Sequence, residues 1–382
     1  MKKAAHGKFM KEIGIYRKAF PRISETFIKE QAYNLSRYNP TFILCTLLNQ
    51  IPFQNFSISQ GDFFKIKQVS YLLTRSPSFF SHLDSFGKLA LIHAHFGPDG
   101  VYAMALAEKL KIPFIVTFHG YDITIYRTAI WRTGPLLYYQ LLWYEEELKK
   151  KASAFIAVSG FIRNQLLDKG YPEKKIIQHY IGVDTAKFSP SSDKSNERYI
   201  FCVGSHKQKK GIDTLLRAFA RIAKKYPNVS LIQVGSGSMT SELHTLAKVL
   251  GISNRVRFLG GQPHETVLNL MRGAEIFSLP SQTAKNGDSE ALGIVFNEAS
   301  ACGVPIVSTK HGGIPEAVLD GETGFLVPER DDAALAEKLD TLLSNRALAN
   351  KMGQRGREFV CEMFDIRKQT VKLEAIYDSL TH

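Results

Sequence analysis

Short apolar runs rich in β-branched and aromatic residues alternate along the chain with longer segments whose apolar positions recur at helical spacing. In the first half these runs predict strands at 13–16, 41–47, 89–93, 114–118, 154–158 and 176–180. In the second half they predict strands at 199–203, 230–234, 256–259, 276–279, 305–308 and 325–327. Strands that alternate with helices are typical of parallel α/β units, so the pattern predicts an α/β protein with two doubly wound sheets.

A polar segment separates the two halves. Residues 189–198, SPSSDKSNER, contain Pro and Ser without periodicity, which is typical of a linker. Because 382 residues exceed one ordinary hydrophobic core, we predict an N-terminal domain at 1–188 and a C-terminal domain at 199–360. The remaining segment, 361–382, predicts a helix whose apolar face requires a packing surface.

Composition and charge narrow the class of protein. No apolar run approaches the roughly 18 residues of a spanning helix, and the first 20 residues contain no continuous apolar region, so we expect a cytoplasmic protein. An excess of 49 basic over 36 acidic residues gives a net charge of +13, which favours anionic substrates or an anionic lipid surface. Lys149, Lys150 and Lys151 follow an aromatic stretch at 131–144, so peripheral membrane association stays open beside a purely solubilising role. Nucleic-acid binding is not expected, because aromatic residues do not interleave with the basic clusters.

Residues 286–298, NGDSEALGIVFNE, combine a polar loop with the start of an apolar helix. Asp288 and Ser289 are the expected N-caps. The N–H groups of Gly293, Ile294 and Val295 would then lie near the helix start, where the partial positive charge of the helix favours an anion. The segment predicts a cradle for a diphosphate.

Two carboxylates flank this cradle, Glu290 before the helix and Glu298 inside it. A carboxylate accepts hydrogen bonds from neighbouring hydroxyls, which both ribose and hexose rings present. The pair therefore fits a nucleotide sugar. The alternative is that Glu290 is a first-turn acid favoured by the helix dipole and Glu298 a solvated helix residue.

Ordered motifs then identify a family. The pattern Glu-x7-Glu, followed by ACGVPIV at 301–307 and HGGIPEAV at 311–318, resembles the family 4 retaining glycosyltransferases of GT-B fold. The motifs PRISETFI at 21–28, HAHFG at 93–97, TFHGYD at 117–122 and GVD at 182–184 resemble the exopolysaccharide branch, which includes colanic acid glycosyltransferases. The resemblance spans nearly the whole chain. It implies two Rossmann-like domains that face each other across a cleft, with the last helix packing back on the N-terminal domain.

The resemblance implies roles for individual residues. Glu290 contacts hydroxyls of the donor sugar, His119 lies beside that sugar, and Lys210 neutralises the leaving diphosphate, so these three are the expected catalytic residues. The resemblance also implies the donor-binding residues. Glu298 is expected at the ribose, the amides of Gly293, Ile294 and Val295 at the diphosphate, and Ser205 and Gly235 in the turns that open the cleft.

One cation of the family pattern is missing. An arginine usually follows the glycine after the first strand of the second domain, and here Ser205 stands in its place. Because a cation near the leaving diphosphate stabilises the transition state, this departure bears on activity. Lys207 stays open as a substitute, whereas Lys209 is expected to be a solvated loop residue.

The acceptor side is less sharply marked. His119 ends an apolar strand and can project into the cleft, the alternative being a histidine satisfied at the strand end. His95 is expected to line the acceptor side, and Ser24 and Glu25 open the first helix where the family often has a Gly-rich turn. For Ser24 we favour the role of helix N-cap over a role in binding the acceptor. The chain contains no Asp-x-Asp, so neither a metal nor a cofactor is expected.

The expected function is transfer of a hexosyl unit, with retention, from a UDP- or GDP-hexose to a saccharide or polyprenyl-linked acceptor in exopolysaccharide synthesis. One alternative is a nucleotide-sugar epimerase of the same fold, and another is a sugar-nucleotide-binding subunit with weak turnover. An NAD-dependent oxidoreductase is disfavoured, because Thr240 occupies the third position of the glycine fingerprint that begins at Gly235.

Overall fold

The computed structural model describes residues 10–22, 25–58, 63–80, 88–133, 136–191 and 197–381. Within these ranges the first half forms a seven-stranded parallel sheet in the order β3-β2-β1-β4-β5-β6-β7. Its strands are β1 (Lys11–Phe20), β2 (Tyr38–Leu47), β3 (Asn55–Ser57), β4 (Leu89–His95), β5 (Phe114–Phe118), β6 (Ala154–Ala157) and β7 (Ile176–Gln178). Its helices are α1 (Thr26–Asn34), α2 (Phe64–Thr74), α3 (Gly97–Leu110), α4 (Tyr121–Thr124), α5 (Arg127–Thr133), α6 (Leu136–Lys151) and α7 (Gly160–Asp168).

The second half forms a six-stranded parallel sheet, again within the described ranges, in the order β10-β9-β8-β11-β12-β13. Its strands are β8 (Arg198–Val203), β9 (Val229–Val234), β10 (Val256–Phe258), β11 (Ile276–Ser278), β12 (Ile306–Thr309) and β13 (Gly324–Val327). Its helices are α8 (Ile212–Ile222), α9 (Thr240–Val249), α10 (His264–Gly273), α11 (Ile294–Ala301), α12 (Ile314–Ala317), α13 (Asp332–Ser344) and α14 (Arg346–Met363). The prediction of two Rossmann-like α/β domains is confirmed.

The last helix, α15 (Ile366–Leu380), returns to the first sheet. Its start is fixed to the end of the first domain, because Ile366 N–H donates a hydrogen bond of 2.9 Å to the carbonyl of Val183 and Asp365 caps the helix. Leu373 and Tyr377 are buried against β1, β2 and β4, and Glu374 accepts hydrogen bonds from the backbone N–H groups of Ser36 and Arg37. The apolar face predicted for this helix therefore packs on the N-terminal domain.

The strand bounds in the structure differ most from those predicted from the sequence at β1 and β3. The sequence predicts a strand at 13–16, but β1 continues to Phe20 because Arg17 is buried in ion pairs rather than solvated. β3 has only three residues and carries no periodic signal, so the pattern did not predict it. The expected linker falls between β7 and β8, with Arg198 already in β8 and residues 192–196 outside the described part of the chain.

Candidate active site

The loop before α11 faces the first domain. A Cβ added to Gly120, which follows β5, would lie 3.1 Å from the Cβ of Ala291. Ser159 donates a hydrogen bond of 2.6 Å to the carbonyl of Ala291, and Ser289 N–H donates one of 3.3 Å to Thr124 Oγ1. The segment that contains Glu290 therefore lies against the carboxyl ends of β5 and β6, where parallel α/β sheets bind their ligands.

α11 begins without a side-chain cap. Gly293 occupies the N-cap position with φ of 78°, and a Cβ there would lie 2.4 Å from the Phe296 ring. The expectation that Asp288 or Ser289 caps this helix is wrong, because the loop continues to Gly293, Asp288 pairs with Lys209, and Ser289 donates to the carbonyl of Gly287. First-turn amides have no intrahelical partner, and glycine admits an anion to within hydrogen-bonding distance of them. Ile294 and Val295 are half-buried in this first turn.

The backbone of Glu290 is held by the 311–313 loop. Its N–H donates 3.0 Å to His311 Nε2, and its carbonyl accepts 3.1 Å from Gly313 N–H. Because Nε2 accepts, the proton of the neutral ring must sit on Nδ1, which lies 2.7 Å from Glu329 Oε1 and donates to it. A Cβ on Gly312 would lie 2.1 Å from the carbonyl oxygen of Glu290, so this close packing requires glycine.

The carboxylate of Glu290 forms an ion pair with Lys210, and both side chains are largely buried. Burial by itself would raise the pKa of Glu290, but Lys210 and Lys209 lower it to about 2. The carboxylate is therefore ionised throughout the physiological range. The carboxylate of Glu290 can accept hydrogen bonds from sugar hydroxyls. Lys210 and the start of α11, which lie beside it, can bind a phosphate.

Lys209 is not the solvated loop residue that was expected. Its side chain is only 15% exposed, and its Nζ lies 2.9 Å from Asp288 Oδ1. Although burial lowers the pKa of a lysine, Glu290 and Asp288 raise that of Lys209, so it stays charged. Lys207, by contrast, is exposed. The difference arises because residues 208–210 form a 3-10 turn closed by Gly211 at φ of 58°, which turns Lys209 and Lys210 towards the 288–290 loop.

Ser205 and Gly235 lie in two loops that pack on each other. A Cβ on Gly235 would lie 2.1 Å from the carbonyl oxygen of Gly204, so a side chain at Gly235 would separate the loops. Between them His206 is buried, with Nδ1 2.8 Å from Thr240 Oγ1 and Nε2 2.6 Å from Gln233 Oε1. Ser205 is half-buried beside this support.

Glu298 lies in α11 with its side chain 17% exposed. The ring of His264, whose pKa is lowered by burial, lies beside it with Nε2 3.9 Å from Glu298 Oε1. Burial raises the pKa of Glu298 to about 7, an effect that Lys187 opposes only partly. Glu298 is therefore a poorly compensated carboxyl, and the predicted alternative of a solvated helix residue does not describe its surroundings.

His119 and His95 form a pair at the ends of β5 and β4. His119 Nε2 lies 3.0 Å from His95 Nδ1, and neither His119 Nδ1 nor His95 Nε2 has a protein partner although both atoms are buried. Burial lowers the pKa of both rings well below the usual range, so both are neutral. In either arrangement of protons the pair presents one free donor and one free acceptor.

Asp122 holds the His119 loop, a role that the sequence did not assign although the residue stands within a recognised motif. Its carboxylate accepts hydrogen bonds from the N–H groups of Gly97 at 2.9 Å, His119 at 3.1 Å and Gly120 at 2.8 Å. Burial raises the pKa of Asp122 to about 6, although these amides oppose the shift. Asp122 thereby fixes His119 to the start of α3.

Arg17 and Asp99 were also missed. Arg17 is buried, bonds to both Glu25 and Asp99, and lies 4.3 Å from the centroid of the Phe96 ring. Phe96 in turn packs on His119 with centroids 4.5 Å apart. Glu25, expected on the acceptor side, thus has its carboxylate engaged by Arg17, and Ser24 lies outside the described residues.

The basic cluster for which membrane contact was left open is largely engaged within the protein. Lys149 is buried and bonds to Glu146 and to the carbonyl of Lys169, and Lys151 pairs with Glu147 and Glu108. In the aromatic stretch Tyr138 is buried, whereas Trp131 and Trp143 are exposed. Among the described residues, no helix has the length and apolar character needed to span a bilayer.

Comparison with known proteins identifies the family. Residues 184–359 match the "Glycosyl transferases group 1" family, and residues 32–187 match "Glycosyltransferase Family 4". The chain is 31% identical over 275 residues, 68% of each chain, to a GDP-mannose-dependent alpha-(1-6)-phosphatidylinositol monomannoside mannosyltransferase of Mycolicibacterium smegmatis. It is 32% identical over 250 residues to the putative colanic acid biosynthesis glycosyltransferase WcaL of Escherichia coli, a match that covers 64% of this chain and 59% of that protein.

Solved structures agree on the fold. The crystal structure of Anabaena HepE in complex with UDP and glucose has a TM-score of 0.78 at 20% identity and matches 97% of this chain and 100% of that chain. Sucrose-phosphate synthase from Thermosynechococcus elongatus has a TM-score of 0.75 at 20% identity, over 97% and 99% of the two chains. With the matched families and the two facing sheets, the chain belongs to the family 4 glycosyltransferases of GT-B fold.

Proposed function

We propose that the protein transfers a hexosyl unit, with retention of anomeric configuration, from a nucleotide-diphosphate sugar to a saccharide or polyprenyl-linked saccharide acceptor. The observation that carries the proposal is the Lys210–Glu290 ion pair at the start of α11, against the loop of His119. A cation, a carboxylate and a helix start match the phosphates and hydroxyls of such a donor. The product is a cell-surface glycan or exopolysaccharide.

The diphosphate lies at the first turn of α11, and Lys210 neutralises the charge that grows as it departs. Lys209 supplies the second positive charge in place of the arginine absent at Ser205. Its support is its burial and its charge coupling to Glu290, neither of which Lys207 shares. Two lysines and the helix start provide this charge without a divalent cation.

The ribose hydroxyls bind Glu298, whose ionised carboxylate is poorly compensated without a ligand. The sugar hydroxyls bind Glu290 and His119. The His119–His95 pair offers both a donor and an acceptor, so it can bind one hydroxyl of the donor sugar and one of the acceptor. A UDP- or GDP-hexose fits these contacts equally, because none of them involves the base.

In the proposed reaction the acceptor hydroxyl oxygen forms a bond to the anomeric carbon on the face from which the phosphate leaves. The bond between that carbon and the phosphate oxygen breaks, and the departing phosphate takes the proton of the hydroxyl. No protein nucleophile is required. The contribution of the protein is to position both substrates and to stabilise the leaving charge.

The acceptor assignment rests on the relatives. One is named for action on a phosphatidylinositol monomannoside, and another for colanic acid biosynthesis. These names support a saccharide acceptor, which in the first case is attached to a lipid. We therefore place the enzyme in the cytoplasm, peripheral to the inner face of the plasma membrane.

NMR of the reaction product tests the proposal. Wild-type protein is incubated with α-linked UDP- and GDP-hexoses and with saccharide and polyprenyl-diphosphate-saccharide acceptors, and the anomeric coupling of the new linkage is measured. An α-linked product is expected. A β-linked product contradicts retention, and an isomerised nucleotide sugar formed without acceptor contradicts transfer.

A further inference from the structure

A cavity of about 1020 Å³ lies at the amino ends of β8, β11 and β12. Arg198, Glu275 and Pro305, which begin or precede these strands, line it. Because the sheet is parallel, this edge is the one opposite to the cleft. The described residues that line the cavity include none of those assigned to the donor. Its volume is that of a site for an organic ligand.

Three arginines give this cavity a positive charge. Arg272, Arg346 and Arg357 line it, and none of the three forms an ion pair with a carboxylate of the described residues. The glutamates that line the same cavity do not neutralise them, because each pairs with a different arginine. These pairs are Glu275–Arg198, Glu197–Arg257 and Glu358–Arg355. Since guanidinium groups bind anions through paired N–H donors, the cavity is suited to an anionic ligand.

The rest of the wall is partly apolar. Val304 and Pro305 come from the loop before β12, and Ala349 and Cys361 come from α14. An inorganic phosphate would leave most of this volume unfilled, whereas a ligand with a carbon skeleton would cover the apolar groups. Three guanidinium groups match the charge of a phosphate dianion better than the single charge of a carboxylate. The chemistry therefore favours an organic phosphate.

Two of the three arginines also hold the segment that leads from the first domain to the second. Arg272 and Arg357 donate hydrogen bonds to main-chain carbonyls within residues 185–189. The distances are 2.8 Å to Lys187 and 3.0 Å to Ser189 from Arg272, and 3.2 Å to Thr185 and 3.0 Å to Phe188 from Arg357. Carbonyl groups carry no net charge, so these bonds position the guanidinium groups without neutralising them. A ligand on them would contact the support of this connection.

Helix α11 links the cavity to the proposed diphosphate cradle. It begins at the cradle, with Gly293 as N-cap, and ends at Cys302, which lines the cavity. Arg357 donates a hydrogen bond to the carbonyl of Ala301 in its last turn. The eight residues of α11 span about 12 Å. An anion at one end of this helix therefore repels an anion at the other across the protein interior, where salt screens less than in water.

From these observations we propose that the cavity binds an organic phosphate through Arg272, Arg346 and Arg357, and that this ligand weakens binding of the nucleotide sugar. The ligand is an effector, which neutralises positive charge at the carboxyl end of α11. The binding site is independent of sugar transfer, whereas the effect on the donor rests on the proposed function.

Modification of Cys361 reports directly on the cavity, because its half-buried thiol lies in the wall. The full chain is treated with anionic sulfonatoethyl methanethiosulfonate or cationic trimethylammonioethyl methanethiosulfonate, and peptide mass spectrometry gives the rate at each cysteine. Relative to a small thiol in solution, Cys361 should prefer the anionic reagent roughly tenfold. Glucose 6-phosphate or 3-phosphoglycerate should slow its modification at concentrations at which inorganic phosphate does not.

Arg346→Gln tests the charge with little effect on folding, because Arg346 is exposed at the start of α14. It should weaken the protection of Cys361 by the organic phosphates roughly tenfold. The matched control is Arg221→Gln, an exposed arginine of α8 outside the cavity, which should be protected as wild type is. Wild type that neither organic phosphate protects, or equal protection of wild type and both variants, overturns the proposal. So does an equal loss in Arg221→Gln, which would assign the effect to net charge.

Donor binding tests the coupling and separates the two proposals. A saturating organic phosphate should weaken the affinity for the UDP- or GDP-hexose roughly fivefold. By reciprocity the donor should weaken the protection of Cys361 by the same factor. Independent binding overturns the coupling, as does an effect that persists in Arg346→Gln, because the phosphate would then compete at the donor site. Protection of Cys361 without any donor stabilisation contradicts the proposed function alone, and donor stabilisation without protection contradicts the effector site alone.

Discussion

Lys210 and Glu290 form an ion pair between the loop after β8 and the loop before α11, and both side chains are only 15% and 13% exposed. The pair joins the two segments that contact the donor in the proposed complex. Before the donor binds, Glu290 holds Lys210 at the site, so little rearrangement is needed when the diphosphate arrives. Preorganised charge of this kind is more effective in a largely dry site than in water.

Replacing Lys210 by methionine should lower kcat by roughly 10²–10³. The reason is that the charge of Lys210 stabilises the leaving diphosphate more in the transition state than in the ground state. The exposed Lys207→Met variant is the control and should change kcat less than about threefold. Steady-state rates with a saturating donor make the comparison, and equal losses in the two variants would argue against the assigned role.

The Lys209–Asp288 pair predicts an asymmetric effect on stability. Asp288→Ala leaves a buried lysine without its direct partner and should lower the free energy of unfolding by about 3 kcal/mol. The double variant Asp288→Ala/Lys209→Met removes both charges and should recover part of that loss. Urea denaturation measures all three proteins. A double variant less stable than Asp288→Ala contradicts the buried pair.

Glu298 predicts a pH-dependent stability without donor. Its pKa of about 7 lies above the ordinary 4.5, so the folded protein holds a proton that the unfolded chain has lost. The stability from this group is present below pH 4.5 and is lost as pH rises through 7. Glu298→Gln should therefore be more stable than wild type by up to about 3 kcal/mol at pH 8 and equal to it near pH 4.5.

Thermal unfolding across this pH range, with the exposed Glu242→Gln as control, measures the difference. A constant offset between Glu298→Gln and wild type would show that Glu298 does not titrate in this window. An equal response of Glu242→Gln would assign the effect to net charge instead.

Glu316 predicts a coupling between the domains. From α12 it accepts hydrogen bonds from the backbone N–H groups of Gly160 at 2.8 Å and Phe161 at 3.0 Å, at the start of α7 in the other domain. Glu316→Ala removes these bonds and the favourable charge at the helix start. We expect kcat to fall roughly tenfold with little change in donor affinity, because α11 itself is intact.

The control for this variant is Glu322→Ala, an exposed glutamate of the same domain. Kinetics and isothermal titration with the donor separate the two effects. Weakened donor binding with unchanged kcat would place Glu316 at the donor site rather than between the domains.

The start of α11 near Gly293 could be expected from the sequence, whereas the residues that support the neighbouring loop could not. A glycine between a polar loop and an apolar run marks the start of the helix. The Glu-x7-Glu spacing identifies the two glutamates. The burial of Lys209 depends on a 3-10 turn and on a loop some 80 residues away, which local pattern does not encode. The sequence around Arg17 likewise does not distinguish it from a solvated arginine, because Glu25 and Asp99 contact it only in the folded chain.

The solvent exposure of one face of α2 was missed for a related reason. The apolar residues of α2 occur on both sides of the helix, so periodicity does not tell which side is buried. The basic cluster at Lys149–Lys151 is prominent in the sequence, yet Lys149 and Lys151 are paired within the fold. Charge runs alone therefore do not show which basic residues are paired within the fold.

The most direct test of the central claim, a nucleotide-sugar site built on Glu290, Lys210 and Glu298, is a thermal-shift panel of UDP-, GDP- and ADP-sugars at pH 8. Wild type should be stabilised by at least one of these nucleotide sugars, because a ligand that binds only the folded state raises the unfolding temperature. Glu298→Ala should lose most of this stabilisation. A panel without any stabilisation, or one in which Glu298→Ala responds as wild type does, would contradict the site.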